Sequence, residues 1–227
     1  METRNKTTRE FVSSLNMQLE NLFSNDHSSI NAREDSRAFG AMIEQKIANH
    51  WESICAKMRS ESVPRPGRKT IYDFGVCYKG ILFGVDVKTK ELDSKKYADG
   101  GVCSVDNVLK FLTKDDAIFI VIEFGHTQES SQSHFRKLKY IKVAPFHLLP
   151  KKAYRIENLG TGQVRLNYTI NEIYNEIEWT RSLEQFLDIF IDIVIIHYKN
   201  VSQKAQERID KMRNYKKKST KILYPEQ

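Results

Sequence analysis

Cysteine is scarce in this chain and poorly spaced for structural chemistry. Cys55, Cys77 and Cys103 are an odd number with no C-x-x-C pair among them. That argues against a disulfide framework or a zinc site and fits a reducing compartment, the cytoplasm. Long apolar runs are missing too. The longest, Phe186 to Ile196, contains Asp188 and Asp192 and is too short to span a bilayer. It reads as a buried helix, and no membrane partner is expected. The first thirty residues are polar without an apolar core, so no signal peptide is expected. No GxGxxG, Walker A, GxSxG or HExxH run occurs. This argues against a nucleotide cofactor and against serine or zinc hydrolase chemistry. The histidines (His27, His50, His126, His134, His147, His197) show no HxxxH or HxH spacing and read as surface or packed residues.

Against these absences stands an excess of positive charge. The 227 residues carry a formal net charge of +7, which favours a polyanionic partner, nucleic acid before an anionic membrane surface. With 40% hydrophobic and 29% charged residues the composition is that of an ordinary globular protein, and the length suits one domain over 1–227 with a sizeable core.

Hydrophobic periodicity sets out the elements. Phe11, Leu15, Leu19 and Phe23 recur every four residues and predict a first helix, followed by a polar loop over 24–35. A second helix is predicted from Ser36, a good N-cap, to about Met58, with Phe39, Ile43, Ile47, Trp51 and Ile54 as one apolar stripe. Pro64, Pro66 and Gly67 break the pattern. Two apolar strands then flank Lys79-Gly80, and a glycine-bearing polar loop follows over 90–103. A short helix is expected from Ser104 to Thr113 and a buried strand over Ala117–Phe124. Another strand-like stretch is Tyr140–Leu149, interrupted by Pro145, and Ala153–Tyr168 alternates weakly around Gly160 and Gly162. A long helix should cover about Ser182–Tyr215, with a basic tail at Lys216–Lys218. The order predicts an α/β fold with a central mixed β-sheet flanked by helices.

The chemistry concentrates on Asp73, Asp86 and Lys88. Asp86 and Lys88 are two apart on a strand and so share a face. The strand around them, Ile81-Leu82-Phe83 and then Val85 and Val87, is apolar, and charge placed there is costly unless it has a use. Two carboxylates suit Mg²⁺, a hard cation that takes oxygen ligands, and the Val87 carbonyl can supply a third oxygen. A metal there would polarise a phosphate oxygen, and Lys88 would orient the attacking water or offset transition-state charge.

Asp73, twelve residues, then Asp86-Val87-Lys88, with a glutamate-bearing helix upstream, resembles the PD-(D/E)xK nuclease superfamily. The likeness is to orthodox Type II restriction endonucleases of the HincII and EcoRV kind, among which an Asp-Val-Lys-Thr-Arg run is similar to Asp86-Val87-Lys88-Thr89-Lys90. It covers about 36–125 as a catalytic core. It extends more weakly to Trp179-Thr180-Arg181-Ser182, in a C-terminal helical region over 179–215. Tyr72 stands where the family's eponymous proline is found.

The resemblance implies a Mg²⁺-dependent deoxyribonuclease that cuts both strands of a short, palindromic duplex sequence in a restriction–modification system. Asp73, Asp86 and Lys88 would be catalytic, and Asp73, Asp86 and Val87 would hold the metal. Glu44 falls on the family's helix glutamate; on the residues alone it is equally a solvated position beside the apolar stripe. Glu123, at the end of the buried strand, could be a charge near the cleft, but strand-end solvation accounts for it more simply. The implied partner is double-stranded DNA, contacted from within 126–168. Gln163, Arg165, Asn167 and Thr161 lie in a glycine-bearing loop over 158–167 suited to base edges, which an ordinary surface hairpin would explain almost as well, and Lys95, Lys96 and Tyr97 would line the channel. Cutting both strands implies a homodimer, with the N-terminal helices as candidate contacts. A structure-specific nuclease of resolvase or repair type, or a non-catalytic DNA-binding protein on the same fold, remains an alternative.

Overall fold

The computed structural model describes residues 2–24, 30–31, 36–64, 71–93, 101–113, 117–128, 135–157 and 162–223. Helix α1 (Glu2–Ser24) and helix α2 (Ser36–Lys57) bracket a two-residue strand β1 (Ile30–Asn31). Both predicted stripes are buried: Phe11, Leu15 and Leu19 on α1, and Phe39, Ile43 and Ile47 on α2, lie against one face of the main sheet.

That sheet has six strands among the described residues, ordered β1-β7-β6-β4-β3-β2. Strand β2 is Glu61–Val63, β3 Phe74–Tyr78, β4 Ile81–Glu91, β6 Ile118–Gln128 and β7 Phe135–Pro145. Strands β4 and β6 run parallel and the other pairs antiparallel, so the sheet is mixed, as the sequence predicts. Lys79 and Gly80 both take positive φ (51° and 78°), the conformation that matches a two-residue turn to the twist of the strands it joins.

A second, three-stranded sheet, β5 (Gly101–Ser104), β9 (Gln163–Leu166) and β8 (Tyr154–Glu157), packs over the other face. Part of the stretch expected to form a recognition loop over 158–167 is therefore strand, with β8 and β9 paired in register. The second core joins this sheet and helix α3 (Val105–Thr113) to Phe119, Val121 and Phe146 of the main sheet side, and takes in Phe186 and Phe190. A single turn, α4 (Ile170–Ile173), follows β9.

Helix α5 (Leu183–Leu223) begins at a reciprocal cap: Ser182 Oγ accepts from the Gln185 amide (3.0 Å), and Gln185 Oε1 accepts from the Ser182 amide (2.9 Å). Its apolar run is not the buried helix expected from the sequence. Phe186 and Phe190 are buried, but Ile191, Ile195 and Ile196 are exposed, because only one side of the helix meets the second sheet. No helix among the described residues is long and apolar enough to cross a membrane.

Candidate metal centre

Alternation along β4 decides where the charges go. Phe83, Val85 and Val87 enter the first core beneath α1 and α2, so Asp86 and Lys88 point to the opposite face, toward the second sheet. Asp73 immediately precedes β3, and its amide still donates to the Val85 carbonyl (2.9 Å), extending the ladder by one residue. Beyond that point β3 no longer covers the edge of β4. The Val87 amide instead donates to Asp73 Oδ2 (2.8 Å). A strand residue's N–H and C=O leave the same edge, so the Val87 carbonyl is directed to the Asp73 side as well. Sequence spacing thus becomes proximity: the hairpin brings Asp73, Asp86 and the Val87 backbone to one point.

Asp86 is 5% exposed. Lys88 Nζ lies 2.8 Å from its Oδ2 and 3.0 Å from Oδ1, donating its aligned hydrogen bond to Oδ1. Oδ2 is buried with no hydrogen bond of its own. Burial pushes the Asp86 carboxyl up to about 7 against the pull of Lys88, and the charges of Asp73 and Glu44 add to the rise. Lys88 responds in the opposite sense. Burial alone would lower it, but the Asp86 carboxylate more than offsets this and its pKa is raised. The difference has a physical cause: Asp86 is enclosed, whereas the Lys88 side chain keeps about a quarter of its surface in solvent. A single ammonium is too little positive charge for the carboxylates gathered here.

This deficit fits a dication held by Asp73, Asp86 and the Val87 carbonyl. Among the described residues no three His, Cys, Asp or Glu side chains are gathered as a metal cluster. A metal would therefore depend on backbone oxygen and water for its remaining ligands, which is how Mg²⁺ is usually bound.

Glu44 is exposed on α2, yet its charge contributes to the rise of Asp86. Two contacts hold α2 in that relation. Gly40 passes so close to β4 that a Cβ would sit 3.2 Å from Thr89 Oγ1, and Trp51 Nε1 donates to the Gly75 carbonyl (3.1 Å) on β3. Tyr72, directly before Asp73, is buried against Phe111, with ring centroids 5.5 Å apart.

Glu123 departs from the solvated strand-end position expected of it. It pairs in register with Lys88 on the neighbouring strand and is buried. Its Oε1 accepts from the Tyr140 hydroxyl (2.8 Å) and the Asn171 amide (3.4 Å) at the start of α4, and burial raises its pKa. The parallel register of β4 with β6, invisible in the sequence, is what brings it beside the centre.

The proposed DNA residues divide. Lys95, Lys96, Tyr97 and Thr161 lie outside the described residues. Gln163 and Arg165 are on β9, and Arg165 donates to Gln163 Oε1 (3.3 Å). Asn167 directs its amide to the Lys152 and Tyr154 carbonyls (2.8 and 3.4 Å), tying the strand end to the preceding turn. Two further residues complete this face. Arg155 stands opposite Arg165 on β8, and Glu157 forms an ion pair with each, 3.0 Å from Arg155 Nε and 2.7 Å from Arg165 Nε. Their signal in the sequence is the alternation Tyr154-Arg155-Ile156-Glu157, with the apolar residues buried. Cys103, on β5 of the same sheet, is within electrostatic range of Asp86 and Lys88. Its thiol is held well above the usual range by burial and then by the Asp86 charge. The second sheet therefore borders the carboxylates.

No family model and no curated protein matches the chain.

Proposed function

We propose that the chain is a Mg²⁺-dependent, site-specific deoxyribonuclease of the Type II kind, cutting both strands of a short duplex sequence as a homodimer within a restriction–modification system. One observation carries the reading: a buried carboxylate, Asp86, lies midway along β4 where Asp73 and the Val87 backbone converge, with the single ammonium of Lys88 against both its oxygens. A binding module gains nothing from burying carboxylates beside an anionic ligand, whereas phosphodiester hydrolysis uses them. Mg²⁺ bound by these oxygens would polarise the scissile phosphate and acidify a bound water.

The chain's own groups supply the rest. Lys88, half sheltered and held by Asp86, places a fixed positive charge where the phosphorane charge develops. The Val87 amide fixes the Asp73 carboxylate. Arg155 and Arg165, ordered by Glu157, offer charge to the backbone of the duplex, in keeping with the net charge of +7.

Incubation of the full chain with phage DNA and Mg²⁺ tests the reading. Discrete fragments support it, and Asp86→Ala should abolish them. Cleavage confined to branched substrates would make it a structure-specific nuclease, and a mobility shift without cleavage would make it a binding protein. Cleavage by Asp86→Ala at the wild-type rate would remove the proposed site.

A further inference from the structure

Helix α5 runs for 41 residues, about 60 Å, but only its first turns are held by the rest of the chain. From Ser202 to Tyr215 every residue is exposed. A helical stretch of that length is marginal in water without a packed face. Its exposed side nevertheless carries a pattern. Ile191, Ile195 and Tyr198 are followed by the small residues Ser202 and Ala205, and then by Ile209 and Met212. The spacings are four, three, four, three, four and three, the heptad repeat of a helix seam. All seven positions are exposed, Ile191 at 43%, Ile195 at 44%, Ile209 at 44% and Met212 at 69%. The body-facing side is centred on Phe186 and Phe190, and of the seam residues Tyr198 also turns its hydroxyl toward Gly162, where an added Cβ would lie 2.9 Å from it.

We propose that this seam pairs with the same seam of a second copy of the chain, antiparallel, about a two-fold axis between Ser202 and Ala205. The pattern is self-complementary only in that sense. Ile195 then meets the partner's Met212, Tyr198 meets the partner's Ile209, and Ser202 meets the partner's Ala205 where the helices approach most closely.

Charge points the same way. Positions 183–198 hold Glu184, Asp188 and Asp192 with no Lys or Arg. Positions 199–215 hold Lys199, Lys204, Arg208, Lys211 and Arg213 against Glu207 and Asp210. A parallel pair would set like halves together, whereas the antiparallel pair sets the end of the acidic half, 192–198, on the partner's 209–215. The flanking position of Asp192 then faces the partner's Arg213. Helices α1 and α2 have spent their apolar stripes inside the first core, so α5 takes the contact expected of them. The pairing stands on α5 alone and does not depend on the nuclease reading.

Sedimentation equilibrium of the full chain at tens of micromolar should give twice 26.5 kDa. Ile195→Lys with Ile209→Lys, both on exposed positions, should halve that mass with helical circular dichroism unchanged. A monomeric wild-type chain, its seam left to another protein or to nucleic acid, overturns the proposal. Register is read by cross-linking. Ile195→Cys and Met212→Cys in one chain are 17 residues apart on a straight helix, about 25 Å, too far for a disulfide within the chain. Under mild oxidation the double variant should form covalent dimers, while wild type and each single variant should not. Dimers from Ile195→Cys alone would mean a parallel pair and would equally overturn it.

Discussion

The ring of Tyr72 fills the space over Gly84 that any side chain would need: a Cβ there would lie 2.6 Å from the ring and 2.7 Å from Phe111. Tyr72 is followed directly by Asp73, whose carboxylate takes the Val87 amide. The missing Cβ on β4 thus seats the residue that sets the first carboxylate. Gly84→Ala should push Tyr72 and Phe111 aside, at about 1–3 kcal/mol of stability as for other overpacked cores. Cleavage should suffer more than folding, because Asp73 moves with its neighbour. Denaturant midpoints and cleavage rates measured on the same samples check this. A variant that cleaves like wild type would show that the Tyr72 seat does not position Asp73.

Asp86 should make the metal-free chain less stable as pH rises. Its folded carboxyl titrates near 7, above an ordinary aspartate, so between about 4 and 7 the folded state holds a proton that the unfolded chain has released. Stability from that proton is full below the unfolded pKa and is lost as pH passes the folded value. Asp86→Asn removes the titration. Its melting temperature relative to wild type should therefore climb from pH 4 to pH 8, measured with chelator present. A gap that stays flat across that range would contradict the buried, cation-poor site. Mg²⁺ should narrow the gap at pH 8 by stabilising wild type alone.

Much of this was legible in the sequence, for reasons that can be named. The stripes of α1 and α2, the Lys79-Gly80 turn and the dense strand at Ala117–Phe124 are local patterns, and each element formed where its pattern lay. Asp73, Asp86 and Lys88 were legible because a tight hairpin turns sequence spacing directly into distance. What depended on long-range register was not. Glu123 meets the centre through the parallel pairing of β4 with β6, which no local pattern encodes, and Arg155 meets Arg165 through a register that Gly160 and Gly162 suggest as a hairpin but do not fix. The run Phe186–Ile196 misled because hydrophobicity was read without direction. Its residues face two sides, one toward the second sheet and one toward solvent.

Lys88→Met should lower the cleavage rate by two orders of magnitude or more, since a fixed charge aimed at a developing one is worth roughly 3 kcal/mol. Loss of the ammonium also leaves Asp86 buried without its counter-charge, so the metal-free variant should favour the protonated carboxyl more strongly than wild type does. Titration of the variant by differential NMR or calorimetry reads that shift. An unchanged Asp86 titration would show that Lys88 does not govern its charge.

Arg155 and Arg165 face each other across β8 and β9, a placement of like charges that destabilises a sheet unless something lies between them. Glu157 is that counter-charge, one oxygen to each guanidinium. If the pair contacts DNA phosphates, Arg155→Ala and Arg165→Ala should each reduce the salt dependence of binding by about one unit of log–log slope, whatever the sequence of the duplex. Glu157→Gln should tighten binding at low salt by removing a negative charge from the same face. Slopes unchanged in both arginine variants would move the DNA contact elsewhere.

Two buried histidines set the acid limit of the fold. His126 is fully enclosed and its pKa is lowered to about 4, by burial first and then by Arg136, whose Nη1 lies 3.3 Å from His126 Nδ1. His147 is lowered to about 3 by burial and then by Arg4 and Arg181. Each is neutral when folded at a pH where the unfolded chain is already protonated. The unfolded state therefore binds more protons from about 6.5 downward, and each site removes up to about 1.4 kcal/mol of stability per pH unit until its folded pKa is reached. Asp86 and Glu123, both raised by burial, work against this loss over part of the same window. The histidine-driven decline from pH 6.5 toward 4 should therefore be steeper in Asp86→Asn, which lacks one of the opposing protons. Replacing His147 with Gln should flatten the decline, whatever it does to stability at pH 8. Equal slopes for wild type and His147→Gln, measured by urea unfolding at half-unit pH steps, would mean that this histidine is not kept neutral by the fold.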